Sequence, residues 1–258
     1  MLVKDAISQY PTLPFLAIRF GIATLVVAAA TRRPPSREVI RVGALIGLVL
    51  AAGYVFQTVG LVYTSPGNAG LITGLFVVFT PILDRLFGTP LPARTLLATA
   101  AALLGTVLLT GTGGRVGGGE LLMLACAAAF ALHIVLLSRW APGLPPGPLA
   151  LVQMAASTVV FTAGSLPALR LPAIAVWPAL LITGIFASGL AFFIQTWTQR
   201  HLAASRAALV LATEPAWALL FAVVLAGQRL SWLQMLGAGL VLVAIAGHEL
   251  AAVRSGRR

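Results

Sequence analysis

Long apolar runs alternate with short polar turns along almost the whole chain, and most runs approach the roughly 20 residues a helix needs to cross a bilayer. Nine spans are predicted: Leu13 to Ala30, Val42 to Thr64, Pro66 to Phe87, Leu96 to Gly111, Gly119 to Arg139, Leu149 to Leu169, Val176 to Trp197, Ala203 to Ala226 and Trp232 to His248. A membrane β-barrel would instead show alternating segments of about ten residues. The fold class is therefore all-α, a polytopic membrane helix bundle. Helix breakers punctuate it, with Pro34-Pro35 after the first span, glycines around Arg115 after the fourth, and Pro142, Pro145, Pro146 and Pro148 after the fifth.

Composition and charge narrow the setting. Of 258 residues 59% are hydrophobic and 9% charged, where a soluble domain is about a quarter charged. The net charge of +11 comes from arginine, Lys4 being the single lysine. These cations lie between apolar runs, which points to helix orientation and anionic headgroups rather than nucleic acid. With nine spans, the loop holding Arg32, Arg33, Arg37 and Arg41 falls on the same side as the tail holding Arg254, Arg257 and Arg258. The positive-inside rule puts that side, and the C-terminus, in the cytoplasm. Cys126 is the only cysteine, no Cys/His spacing suggests a metal, and no cofactor is expected.

The chain also repeats itself. Gln57-Thr58 recurs as Gln195-Thr196, an offset of 138 residues, and Ala69 and Leu71 fall opposite Ala207 and Leu209. Further on, Gly88-Thr89-Pro90-Leu91 matches Gly227-Gln228-Arg229-Leu230. The third and fourth spans thus pair with the eighth and ninth, and the first with the sixth. Only the fifth lacks a counterpart, and Val3-Lys4-Asp5-Ala6 falls opposite its end, as if the chain began inside a helix. Five helices per half is an odd number, so the halves run in opposite orientations, as in many transporters.

In their order and spacing these stretches resemble the EamA-like permeases of the drug/metabolite transporter superfamily. Val3-Lys4-Asp5-Ala6, Pro11, Phe15 and Arg19-Phe20 resemble the end of the family's first helix and its second. Gly119-Glu120-Leu121-Leu122 with Ala128-Ala129-Phe130-Ala131 resembles the opening of the second repeat. Glu214-Pro215, Gly227-Gln228-Arg229-Leu230 and Gly237 resemble the last two helices. The resemblance implies two EamA-like repeats, residues 1–112 and 113–258, and ten helices, most of the first being absent here. Two turns depart from the family's Gly-Glu-Arg-Leu pattern, at Thr89-Pro90 and at Gln228.

Glu214 is the sharpest candidate site residue, because an acidic group mid-span costs about 2.5–3.5 kcal/mol and is normally turned to a cavity or partner. Pro215 lacks an N–H, frees the Leu211 carbonyl and should break the helix. The equivalent first-half positions, Phe76-Val77, offer neither charge nor break, so the site is expected to be asymmetric. Arg19 could pair with Glu214, bind an anionic substrate group or snorkel to the interface. His133 could relay protons or simply pack. Tyr54, Gln57 and Thr58 share one helical face, and Ser188, Phe192 and Gln195 form a comparable one. With Gln153 and Ser157 they could line a cavity or hydrogen-bond between helices. Trp217 could meet an aromatic substrate.

The reading is a secondary-active transporter, not an enzyme. It would move a small polar or amphipathic metabolite, such as an amino acid or drug-like compound, across a bacterial inner membrane by alternating access. Export is what the resemblance most often implies. Its partners are the lipid bilayer and the small-molecule substrate, and homodimer formation is left open. A membrane-embedded enzyme would need clustered nucleophile, base or metal ligands, and the sequence displays none. A truncated, inactive permease is the remaining alternative.

Overall fold

The computed structural model describes residues 2–64, 66–110, 117–168, 170–214, 217 and 231–255. Among these the chain is helical throughout, with no strand. In order the helices are α1 (Leu2–Gln9), α2 (Thr12–Ala30), α3 (Arg37–Tyr63), α4 (Pro66–Thr73), α5 (Phe76–Leu86), α6 (Ala93–Thr110), α7 (Gly118–Trp140) and α8 (Pro146–Ser165). Then come α9 (Trp177–Ile182), a π-helical segment (Thr183–Leu190), α10 (Ala191–Gln199), α11 (Ala204–Leu211) and α12 (Trp232–Ser255). Five described stretches are long and apolar enough to span a membrane: Thr12–Ala30, Arg37–Tyr63, Gly118–Trp140, Pro146–Ala168 and Ile174–Gln199. Shorter apolar helices cover Ala93–Gly105 and Trp232–Ala244. Of the other two expected spans, one is split between α4 and α5, and the other extends past α11 into residues outside the description.

Local chemistry sets the helix ends. Pro11 and Pro145 stand at the N-caps of α2 and α8, where a missing N–H is harmless. At the end of α5, Gly88 takes φ +90°. Its N–H bonds the Arg85 carbonyl at 2.9 Å while the Thr89 N–H bonds that of Asp84 at 3.2 Å, a Schellman cap that a side chain would strain.

The chain forms two compact units, and each draws on both sequence halves. One comprises Met1–Val62 with Leu136–Leu202, the other Tyr63–Val135 with Ala203–Arg258. The first therefore holds α2 with its repeat counterpart α8, and α3 with its counterpart α9–α10. The second holds α4–α5 with α11, and α6 with α12, together with most of α7. Inside the first unit α2 packs on α8 and on the π segment. Inside the second α6 packs on α12, closely enough that a Cβ on Gly105 would come within 2.8 Å of the Gly237 carbonyl oxygen.

The second unit corrects one expectation. The first half does contain a helix break, opposite Glu214 and without a proline. The α4 helix ends at Thr73 and α5 begins at Phe76, just as α11 ends at Leu211 and helical structure resumes at Glu214. The match extends to single hydrogen bonds. The Leu75 N–H bonds the Ile72 carbonyl at 3.1 Å, as the Thr213 N–H bonds that of Val210 at 3.1 Å. After each break, Phe79 bonds Leu75 at 3.0 Å and Trp217 bonds Thr213 at 3.1 Å. A tightened i→i−3 turn interrupts both helices at the same register. Pro215 itself lies outside the described residues.

Small residues set the packing around α3. A Cβ added at Gly47 would lie 2.7 Å from the Gln153 carbonyl oxygen and 2.9 Å from Ala156 Cβ, so α3 and α8 touch backbone to backbone. Gly43 is equally close to Val152, at 2.8 Å. Gly70 differs, since a Cβ there would meet nothing within 4 Å.

Candidate substrate-binding site

Arg19 is the eighth residue of α2, so the helix rise places it about 10 Å along the axis from the helix start. Its side chain does not snorkel. Only 7% of the residue is exposed, because Phe15, Leu16 and Phe20 on the same helix are fully buried with it. The guanidinium Nε donates to Ser188 Oγ at 2.8 Å, and Nη2 donates to Tyr54 Oη at 3.4 Å. Both acceptors are neutral hydroxyls. Two of the five guanidinium N–H groups are thereby used, and no carboxylate is bonded to Arg19 among the described residues.

Aromatic rings enclose the cation. Its Cζ lies 5.0 Å from the Tyr54 ring centroid and 5.8 Å from that of Phe20, both within cation–π range. Phe20 meets Tyr54 edge to face at 4.8 Å, and Phe192 also meets Tyr54 edge to face, at 6.0 Å. Four elements thus converge: α2 supplies Arg19 and Phe20, α3 supplies Tyr54, the π segment Ser188 and α10 Phe192.

The π segment is what presents Ser188. Its wider turn needs an approach that only small residues permit, and Gly184 provides one: a Cβ there would lie 3.0 Å from the Arg19 carbonyl oxygen. Gly189 lies against Ala23 and Val26 of the same helix. Segments of this kind recur at functional sites. The sequence reading treated Val176 to Trp197 as one uniform span and missed the irregularity. Two glycines flanking a serine were the available signal.

The remaining candidates are distributed as follows. Gln57 is half-buried, one turn on from Tyr54. Gln153 is fully buried and donates to the Leu149 carbonyl at 3.3 Å and to Thr196 Oγ1 at 3.1 Å, a link between α8 and α10. Ser157 bridges α8 to α3 through the Gly47 carbonyl at 3.0 Å. Gln195 donates to Gln199 at 2.8 Å, and Gln199 to Ser138 at 2.7 Å. All of these belong to the first unit with Arg19. Glu214, His133 and Trp217 belong to the second. There His133 is buried in α7, whereas Glu214 just after the break is exposed and Trp217 is half-exposed. No group of three or more His, Cys, Asp or Glu that could hold a metal occurs among the described residues.

Comparison with known proteins agrees with this architecture. The model of the EamA-like transporter family matches residues 1–111 and 117–248. An uncharacterized transporter of Archaeoglobus fulgidus is 33% identical over 250 residues, covering 94% of this chain and 78% of its own. The uncharacterized inner membrane transporter YedA of Escherichia coli K12 is 27% identical over 258 residues, covering 94% and 83%. A solved crystal structure superposes with a TM-score of 0.80 at 21% identity, over 98% of this chain and 92% of that one, a likeness of fold alone.

Proposed function

Since the chain belongs to the EamA-like transporter family and is a multi-pass membrane transporter, we propose that it carries a small polar or amphipathic metabolite by alternating access, with Arg19 and its neighbours as a substrate contact. One observation carries the choice of site. A cation is kept buried within a span, fixed by two hydroxyls and bordered by aromatic rings, with no carboxylate among its described partners. Intramembrane ionisable groups of this kind mark substrate or ion pathways by default. The π segment and the paired helix breaks supply places where helices can bend, which alternating access requires. Glu214, directly after one break, is the candidate coupling group.

Export is the direction the family resemblance favours. The inner membrane is the setting favoured by YedA, an inner membrane transporter, and a cytoplasmic C-terminus the orientation favoured by the arginine distribution. The test is reconstitution in proteoliposomes, with counterflow measured across amino acids, organic acids, amines and neutral solutes. Saturable flux above protein-free vesicles is expected for at least one class. Flux equal to protein-free vesicles for every class would overturn the reading.

A further inference from the structure

Resting on that reading, we infer that the Arg19 site receives the carboxylate of a small anionic substrate whose body is apolar or aromatic. Hydrogen bonds to Ser188 and Tyr54 solvate the guanidinium, and no carboxylate among the described residues bonds it. A buried charge is costly until an opposite one joins it. Three of its five N–H groups remain after those two bonds, two on Nη1 and one on Nη2, enough for a carboxylate to accept from both nitrogens. The surroundings select further. Tyr54, Phe20 and Phe192 give the site an aromatic border, which favours a flat or hydrocarbon body over a sugar or polyol. Arg19 is also the only cation in this cluster among the described residues, so a single negative charge is matched and a dianion such as a phosphate monoester is not.

Ser188 and Tyr54 act as positioning residues. By holding Nε and Nη2 they set which edge of the guanidinium faces the substrate. The π segment fixes Ser188 against α2 through the close approach of Gly184, so the site is built before substrate arrives.

The experiment uses two matched trios as probes, each an acid, its isosteric amide and a related amine: benzoate, benzamide and benzylamine, and indole-3-acetate, indole-3-acetamide and tryptamine. Each is added to purified full-length protein in detergent and the thermal midpoint is followed, then each is offered to proteoliposomes in counterflow. A charge-assisted bidentate contact outweighs a neutral one by enough to predict a half-saturating concentration about tenfold lower for the carboxylate than for its amide in at least one trio. Arg19→Gln should erase that preference, Arg19→Lys should keep part of it, and Ser188→Ala should weaken carboxylate binding with little effect on the amide. Equal response to acid, amide and amine in both trios would overturn the inference, as would a preference surviving Arg19→Gln. Flux of other solutes without any carboxylate preference would sink the substrate class and leave the transport reading standing. Absence of flux for every solute would instead count against transport itself. Arg19→Lys keeps the test decisive if the glutamine variant does not fold.

Discussion

Replacing Gly47 by alanine should loosen the first unit, and the size of the effect can be worked from the α3–α8 contact. The new Cβ would stand 2.7 Å from the Gln153 carbonyl oxygen and 2.9 Å from both Gln153 Cα and Ala156 Cβ. Ordinary contact begins near 3.4 Å, so the helices must part by about 0.7 Å, and two of the three obstructing atoms are backbone that cannot rotate away. Overpacking of this kind costs about 1–3 kcal/mol, while alanine regains about 0.5–1 kcal/mol of helix preference over glycine. The net effect is destabilising. Gly70→Ala is the matched control, because nothing lies within 4 Å of its Cβ position and only the helix preference remains. Thermal unfolding in detergent should place Gly47→Ala several degrees below the parent and Gly70→Ala at or slightly above it. Separation of α3 from α8 should also shift Tyr54, two turns beyond Gly47, and weaken its 3.4 Å contact with Arg19. A Gly47→Ala protein as stable as Gly70→Ala would refute the backbone-contact reasoning.

Other consequences can be checked with the same preparations. Gly88→Ala should destabilise by about 1–2 kcal/mol in thermal or denaturant unfolding, because φ +90° suits glycine and the Schellman cap depends on it. Gln153→Leu should lower stability by about 0.6 kcal/mol, the usual worth of an interhelical hydrogen bond in membranes, and leave transport kinetics close to the parent if the side chain serves as a link to Thr196. A large change in half-saturation would instead place Gln153 at the substrate. Glu214→Gln should remove the pH dependence of counterflow if that carboxyl carries the coupling proton, and an unaltered pH profile would end that assignment.

The difference between what could be read and what could not follows particular residues. Arg19 was identifiable because a cation within an apolar run is costly wherever it points, and Glu214 for the same reason. Whether Arg19 snorkelled, paired or bonded could not be read, since its partners Tyr54 and Ser188 lie 35 and 169 residues away along the chain. Gln153 and Gln57 looked alike in sequence, yet one is enclosed by Thr196 and the Leu149 carbonyl and the other is half-buried. A polar residue on a helix face carries no label for what that face meets.

The apolar stretches of membrane-crossing length, their helical rather than strand character, the charge placement and the repeat were determined by the sequence alone. Each depends on local composition measured against a bilayer of fixed thickness, or on comparing the chain with itself. Tertiary structure decided how the halves interleave, so that α2 packs on α8 and α6 on α12 within separate units. It also decided the break between α4 and α5. Of the two breaks the sequence puts a proline beside only one, at position 215, since Pro81 stands inside α5 six residues past Leu75, yet the same i→i−3 turn forms at Leu75. Proline explains a break where it occurs. Helix irregularity without proline depends on the neighbours that accept it, and those neighbours are set by the fold.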